Sequence, residues 1–179
     1  MMCYKRYIQV SAVLVIFFSS FSSIAQPGWV DVFDSKDRMS FKIPRIHEEV
    51  DTLDIRMYAA QKDSITIEVH AVDTKKYIGS HVHTLGPLTS ATDTLAVCID
   101  MLLHVTQGTL KSQRTITHDG RVGKETEISY EDYGQSLIMV NRFFWFNNRL
   151  ITFTVTGKST RSATISSYKT IVFNSILFY

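Results

Sequence analysis

The stretch Gly79-Ser80-His81-Val82-His83 holds two imidazoles one residue apart. Side chains alternate along an extended chain, so His81 and His83 would point the same way. Two imidazoles on one side are the start of a metal site. A closed zinc centre needs four ligands, and a catalytic one usually takes three from the protein. Only two are visible here. His70, His118 or Asp93 would have to complete the set in space, and the opposing reading is an exposed polar loop.

The other candidates are acids, a thiol and two further histidines. Glu125, Glu127, Glu131 and Asp132 cluster on one stretch, and Glu125 and Glu127 share a strand face. Paired carboxylates can do general acid–base work, but acids alternating along a strand more often mark a solvated face. His118 sits beside Asp119 at a turn, where local hydrogen bonding explains it better than a base. His104 falls at the edge of a helical pattern. Cys98 lies among Leu95, Ile99 and Leu102 and reads as a small buried hydrophobe. No G-x-S-x-G elbow, phosphate-binding glycine loop or C-x-x-C pair is present. These absences point away from nucleophilic hydrolysis, nucleotide chemistry and thiol redox chemistry.

The first residues carry an address rather than a fold. Lys5 and Arg6 precede an apolar run over 8–18, and Ser23 and Ala25 occupy the small-residue positions of a cleavage site. That is the layout of a secretory signal peptide spanning 1–25, cleaved after Ala25. A membrane anchor is the other reading, but the run is shorter than the roughly 20 apolar residues that cross a bilayer. Localisation is therefore expected to be periplasmic or extracellular, with no stable membrane insertion after cleavage. The whole chain carries +2, from 19 basic and 17 acidic residues. Lys5 and Arg6 leave with the leader and no acid does, so the remainder is neutral. Without a basic excess there is no footprint for nucleic acid.

Residues 26–179 are expected to form one domain, large enough to bury about two thirds of its unfolded surface. Period-two alternation marks strands at 29–34 and 39–44, closed by Pro44. It recurs at 53–59 and 65–72 around a turn at Gln61-Lys62-Asp63. Polar residues broken by Gly79, Gly86 and Pro87 make 73–91 a loop. Leu95, Cys98, Ile99, Leu102 and Val105 recur at three and four, predicting a helix over 92–107 with Gly108 in the left-handed position after it. Strands return at 112–118 and 122–132 around Asp119-Gly120, then at 136–146 and 150–156 around Asn147-Asn148, ended by Gly157. A last helix follows from Ser159 or Thr160, with Ala163, Ile165, Tyr168, Ile171 and Val172 facing inward, before an extended end at 174–179.

Tight turns, not crossover helices, join most of these strands. The expected class is α+β, an antiparallel sheet of hairpins with helices on both faces. The segment 142–155, RFFWFNNRLITFTV, sharpens this. Phe143, Trp145 and Met139 fall on one strand face, and Phe144, Phe146 and Val140 on the other. A strand apolar on both sides is a central strand with cover above and below.

MSFKIP, the helix at 92–107, GRVGKETEISY at 120–130, RFFWFNNRLITFTVTG at 142–157 and a terminal helix running into FNSILF together resemble the PsbP-like group of α/β/α sandwiches. That group includes bacterial DcrB-type envelope proteins and Ran-binding nuclear-import factors. The match is weakest over 73–91. The resemblance implies a non-catalytic binding or accessory module that works in assemblies, with no cofactor and no catalytic residues. For this chain that becomes a bacterial cell-envelope module with a protein partner whose identity is unknown. The alternative is a metal- or small-ligand-binding protein, a hydrolase among the options, using the loop around His81 and His83, where a metal ion is the conceivable cofactor.

Overall fold

Strands dominate, and most are joined by turns of two residues. The computed structural model describes residues 28–52, 54–73, 91–146 and 148–179. The expected leader at 1–25 and the pair His81 and His83 lie outside the described residues. Among the described residues there are ten strands: β1 (Trp29–Asp34), β2 (Met39–Pro44), β3 (Glu48–Asp51), β4 (Ile55–Lys62), β5 (Ile65–Asp73), β6 (Thr109–His118), β7 (Arg121–Asp132), β8 (Gln135–Phe146), β9 (Arg149–Lys158) and β10 (Leu177–Phe178). The described residues also form the helices α1 (Ala91–Thr106) and α2 (Ser162–Asn174), the second entered through a 3-10 turn at Ser159–Arg161.

Backbone sign decides where the hairpins turn. Asp63-Ser64, Asp119-Gly120 and Tyr133-Gly134 all have positive φ at both positions. That is the type I′ geometry, whose twist matches the strands on either side. The expected turn at 61–63 is thus displaced: Gln61 and Lys62 still pair with Thr66 and Ile65, and the bend falls at 63–64. The helix end also differs from expectation. Gln107, not Gly108, takes the left-handed conformation at φ 51°. The Gly108 N–H donates to the Leu103 carbonyl at 3.1 Å, the six-to-one bond of a Schellman cap. Gly108 is needed for space instead: a Cβ there would sit 2.6 Å from Ile128 Cγ2. Gly157 likewise lies inside β9 and does not end it.

The strands form a seven-stranded antiparallel sheet in the order β3-β4-β5-β9-β8-β7-β6 and a three-stranded sheet β1-β2-β10. Two meanders, β3 to β5 and β6 to β9, meet where β5 pairs with β9 along nearly its whole length, Ile65 opposite Gly157 through Asp73 opposite Arg149. The 142–155 hairpin therefore supplies β8 and β9 in the sheet interior, and both of its faces are used. Phe143 packs with Leu95 and Ile99 of α1, with Trp145 and Leu150 at the margin. Phe144, Phe153 and Val155 pack on the other side with Ile165, Tyr168, Val172 and Phe173 of α2.

The expectation of helices on both faces holds in part. α1 covers β7 and β8 on one face, but on the other α2 shares the cover with the small sheet. Met39, Phe41 and Ile43 of β2 are fully buried in the same cluster. The reason lies in β2, whose alternating apolar residues need a partner surface as much as any helix stripe does. Two inward assignments also change: Ala163 and Val105 are exposed, while Phe173 and Ile176 are buried.

Candidate functional site: two buried charge clusters and an open sheet edge

The first cluster sits where the β1–β2 turn meets the large sheet. Asp34 ends β1 with its side chain pointing inward and only 1% exposed. Its Oδ1 accepts the Lys36 and Asp37 backbone N–H groups, each at 3.0 Å, which shapes the turn. The same oxygen accepts Nη1 of Arg56, and Oδ2 accepts the Tyr58 hydroxyl at 3.2 Å. Arg56 Nη2 reaches Asp51 Oδ2 at 2.8 Å, which also takes Lys36 Nζ at 2.6 Å. Beside them Arg149, at the start of β9, donates to the Ala71 carbonyl at 2.7 Å and lies 2.5 Å from Asp37 Oδ1. An open cleft of about 600 Å³ lies above, lined by Lys36, Asp51, Thr52, Arg56 and Arg149.

Burial raises the Asp37 carboxyl above its ordinary range, against the opposing pull of Arg149. Burial likewise raises the Tyr58 phenol, and the Asp34 charge adds to it. Asp34 accepts four donors in all, which leaves it a fastening rather than a base. In the alternating segment 53–59, Asp54, Arg56 and Tyr58 fall on the polar face, opposite Leu53, Ile55, Met57 and Ala59, so the pattern alone gives no sign of this cluster. That face turned out to be the core side, shared with Ala60.

The second cluster surrounds Glu125 on β7. The expectation of a solvated acid is overturned: Glu125 is 7% exposed. Arg142 Nε and Arg114 Nη2 donate to its two oxygens at 2.7 Å each, and Lys169 of α2 lies 3.7 Å away. Burial alone would raise this carboxyl, but the Arg142 and Arg114 hydrogen bonds hold it below its ordinary range. Arg142 also donates to the Phe173 carbonyl at 3.0 Å and lies over the Phe173 ring, fastening α2 to the sheet. Glu127 is half-exposed, so the pair does not share one environment.

His118 anchors the chain end. Its Nε2–H donates to the Ile176 carbonyl at 2.6 Å, and its ring lies against Phe144 and Phe178. Asp119 Oδ2 accepts the Phe178 N–H at 3.1 Å. His118 thus belongs to the α2 face, whereas His70, paired with Thr152, points to the α1 face. They cannot serve one metal site together. Among the described residues no group of three His, Cys, Asp or Glu side chains converges. The Asp93 side chain is not among those described, and His104 is exposed. Cys98 is half-buried rather than fully enclosed, and desolvation pushes its thiol up to about 11.

The third feature is the edge. Among the described residues β6 is the last strand of the large sheet, and its first seven residues are exposed. On the small sheet Phe33 of β1 and Leu177 of β10 flank Ser40 in register, 74% and 55% exposed, with Tyr179 close in sequence at 49%.

These layers define the PsbP-like fold. The chain is similar to the PsbP protein of Synechocystis, with 17% identity over 90% of this chain and 99% of that one, at a TM-score of 0.58. It also aligns with LpqN of Mycobacterium tuberculosis, described as involved in cell envelope biogenesis, with 8% identity over 86% and 79% of the two chains at a TM-score of 0.48. No protein-family model and no curated protein matches the chain by sequence. Among the described residues no helix is long and apolar enough to cross a membrane.

Proposed function

We propose that this chain is an exported, non-catalytic accessory module of the bacterial cell envelope that works through protein contacts. The carrying observation is the apolar row on the outer face of the small sheet. Phe33 and Leu177 stand on either side of Ser40, and large apolar side chains grouped in the open mark interaction surfaces. The leader-like N-terminus supports export. The two buried charge clusters support a structural assignment for the strongest ionic groups, because each joins elements distant in sequence.

Site-specific photocrosslinking in intact cells tests this. A photoreactive residue at position 33 or 177 is expected to give an adduct with one envelope protein, while the same group at the exposed Lys158 gives none. Replacing Phe33 and Leu177 by serine is expected to abolish co-purification without altering the fold. A monodisperse chain with no adduct at either position would sink the reading.

A further inference from the structure

We propose that β6 is a docking edge for an extended, acidic segment of a partner protein, which adds to the large sheet as an eighth strand. This deepens the accessory-module reading and rests on it.

The geometry comes first. β6 pairs with β7 on one side, and no strand among the described residues pairs with the other. An edge strand presents a row of unpaired N–H and C=O groups, and an extended peptide can satisfy them. Many edges are protected by shortness, proline or bulges. β6 is ten residues long and contains no proline. Its one register shift lies between Leu110 and Ser112, which leaves 112–118 as an uninterrupted run. Thr115, Ile116 and Thr117 within that run favour extended backbone.

Charge then selects the occupant. β6 carries Lys111, Arg114 and His118 and no acid. Arg114 is 64% exposed on its side chain. Behind it, Arg114, Arg142 and Lys169 surround the single carboxylate of Glu125, so three cations face one anion. Glu127, opposite Ser112, offsets one more positive charge. Lys124 stands on the other face, bonded to Thr115. The positive charge that an incoming strand meets is that of β6 itself, Lys111 and Arg114, while Asp119 in the turn and Glu131 and Asp132 at the far end of β7 lie outside the 112–118 run. Two copies of β6 brought together would oppose cation to cation, which disfavours self-pairing. Acidic side chains on an incoming strand meet the reverse situation.

The probe is a synthetic peptide of alternating glutamate and valine, about seven residues long to match a strand. Two controls accompany it: the same peptide with lysine for glutamate, and the glutamate peptide with alternate backbone nitrogens methylated. The protein is the chain as recovered from its own cells, labelled for amide spectroscopy. Binding is expected to shift the amides of 112–118 first, to weaken with salt, and to be absent for both controls. Lys111→Gln with Arg114→Gln is expected to weaken it about tenfold. Glu125 keeps its Arg142 bond in that variant, so an unchanged melting temperature is expected to certify the fold. No binding, equal binding of either control, or shifts centred away from β6 would overturn the proposal. Shifts of β6 that depend on protein concentration alone would assign the edge to a second copy and overturn it as well. Adducts at position 33 would still stand in any of those cases, so the two readings fail separately.

Discussion

Arg56 on β4 donates to the buried carboxylate of Asp34 at the end of β1, and this contact ties the small sheet to the large one. The two strands belong to different sheets. Nothing local to either sequence segment demands the pairing. The side chains are 8% and 0% exposed, and each charge offsets part of the other's desolvation.

Asp34→Ala should therefore be severe. It leaves the buried Arg56 guanidinium with the half-exposed Asp51 carboxylate in place of a buried one, and it removes the acceptor of two turn N–H groups. Breaking one member of such a pair costs about 3–5 kcal/mol. Urea unfolding is the measurement, with a fall in melting temperature of about 10 °C as the companion. Asp34→Leu combined with Arg56→Met is expected to recover part of the loss. If Asp34→Ala left stability unchanged, the pair would have to be solvent-exposed.

Acid stability should divide between two carboxyls of opposite sign. Glu125 is held below its ordinary 4.5, so the folded state binds that proton less readily than the unfolded one. Its contribution is full above 4.5 and disappears as pH falls through its lowered folded value. Asp37 is raised above 3.8, so its ionisation lowers stability as pH rises from 3.8 through its raised folded value. Stability measured against pH should then lose much of its acid limb in Glu125→Gln. In Asp37→Asn it should rise more steeply with pH. Identical slopes in both variants and the parent would contradict these environments.

Gly123 and Gly157 both lie in strands with no room for a Cβ, yet they should respond differently to alanine. At Gly123 the added carbon meets the Phe143 carbonyl at 2.5 Å and the Phe144 ring at 2.7 Å. At Gly157 it meets the far end of Ile65 at 2.5 Å, which can move. Gly123→Ala is expected to destabilise by about 2–3 kcal/mol and Gly157→Ala by less. Thermal melts of the two variants decide it, and the reverse order would be the failure.

The aromatic hairpin yields a graded pair. Phe144 is fully buried and touches Phe153 and Phe178 edge-to-face. Its truncation to alanine should cost about 3–5 kcal/mol. Trp145, half-buried beside α1, should cost less than Phe144 when truncated. Parallel denaturant titrations compare them directly. A larger loss at Trp145 would mean that the α1 face holds more of the stability than its small cluster suggests.

Much of the architecture was legible from short-range pattern. Alternation placed most strands within a residue or two, and 142–155 showed both apolar faces of β8 without any coordinates. The apolar neighbours of Cys98 at three and four placed it on the inward side of α1, where it is half-buried. Glu48–Asp51 was missed as a strand because four residues, three of them acidic, carry no alternation to detect. Tyr133-Gly134 was missed as a turn because tyrosine does not advertise a positive φ.

Local periodicity is a property of neighbouring residues, and so the chain by itself determined its hairpins, its α1 stripe and the strands that needed cover on two sides. Only the tertiary structure decided that β5 joins β9, that a second sheet shares the cover with α2, and which charges go inside. Those decisions pair residues far apart: Asp34 with Arg56, Glu125 with Arg142 and Lys169, and His118 with the carbonyl of Ile176. A charge enters the interior only when a partner offsets its desolvation. No single segment records its partner, and the polar side of β4, with Arg56 and Tyr58, is the side that holds the two sheets together.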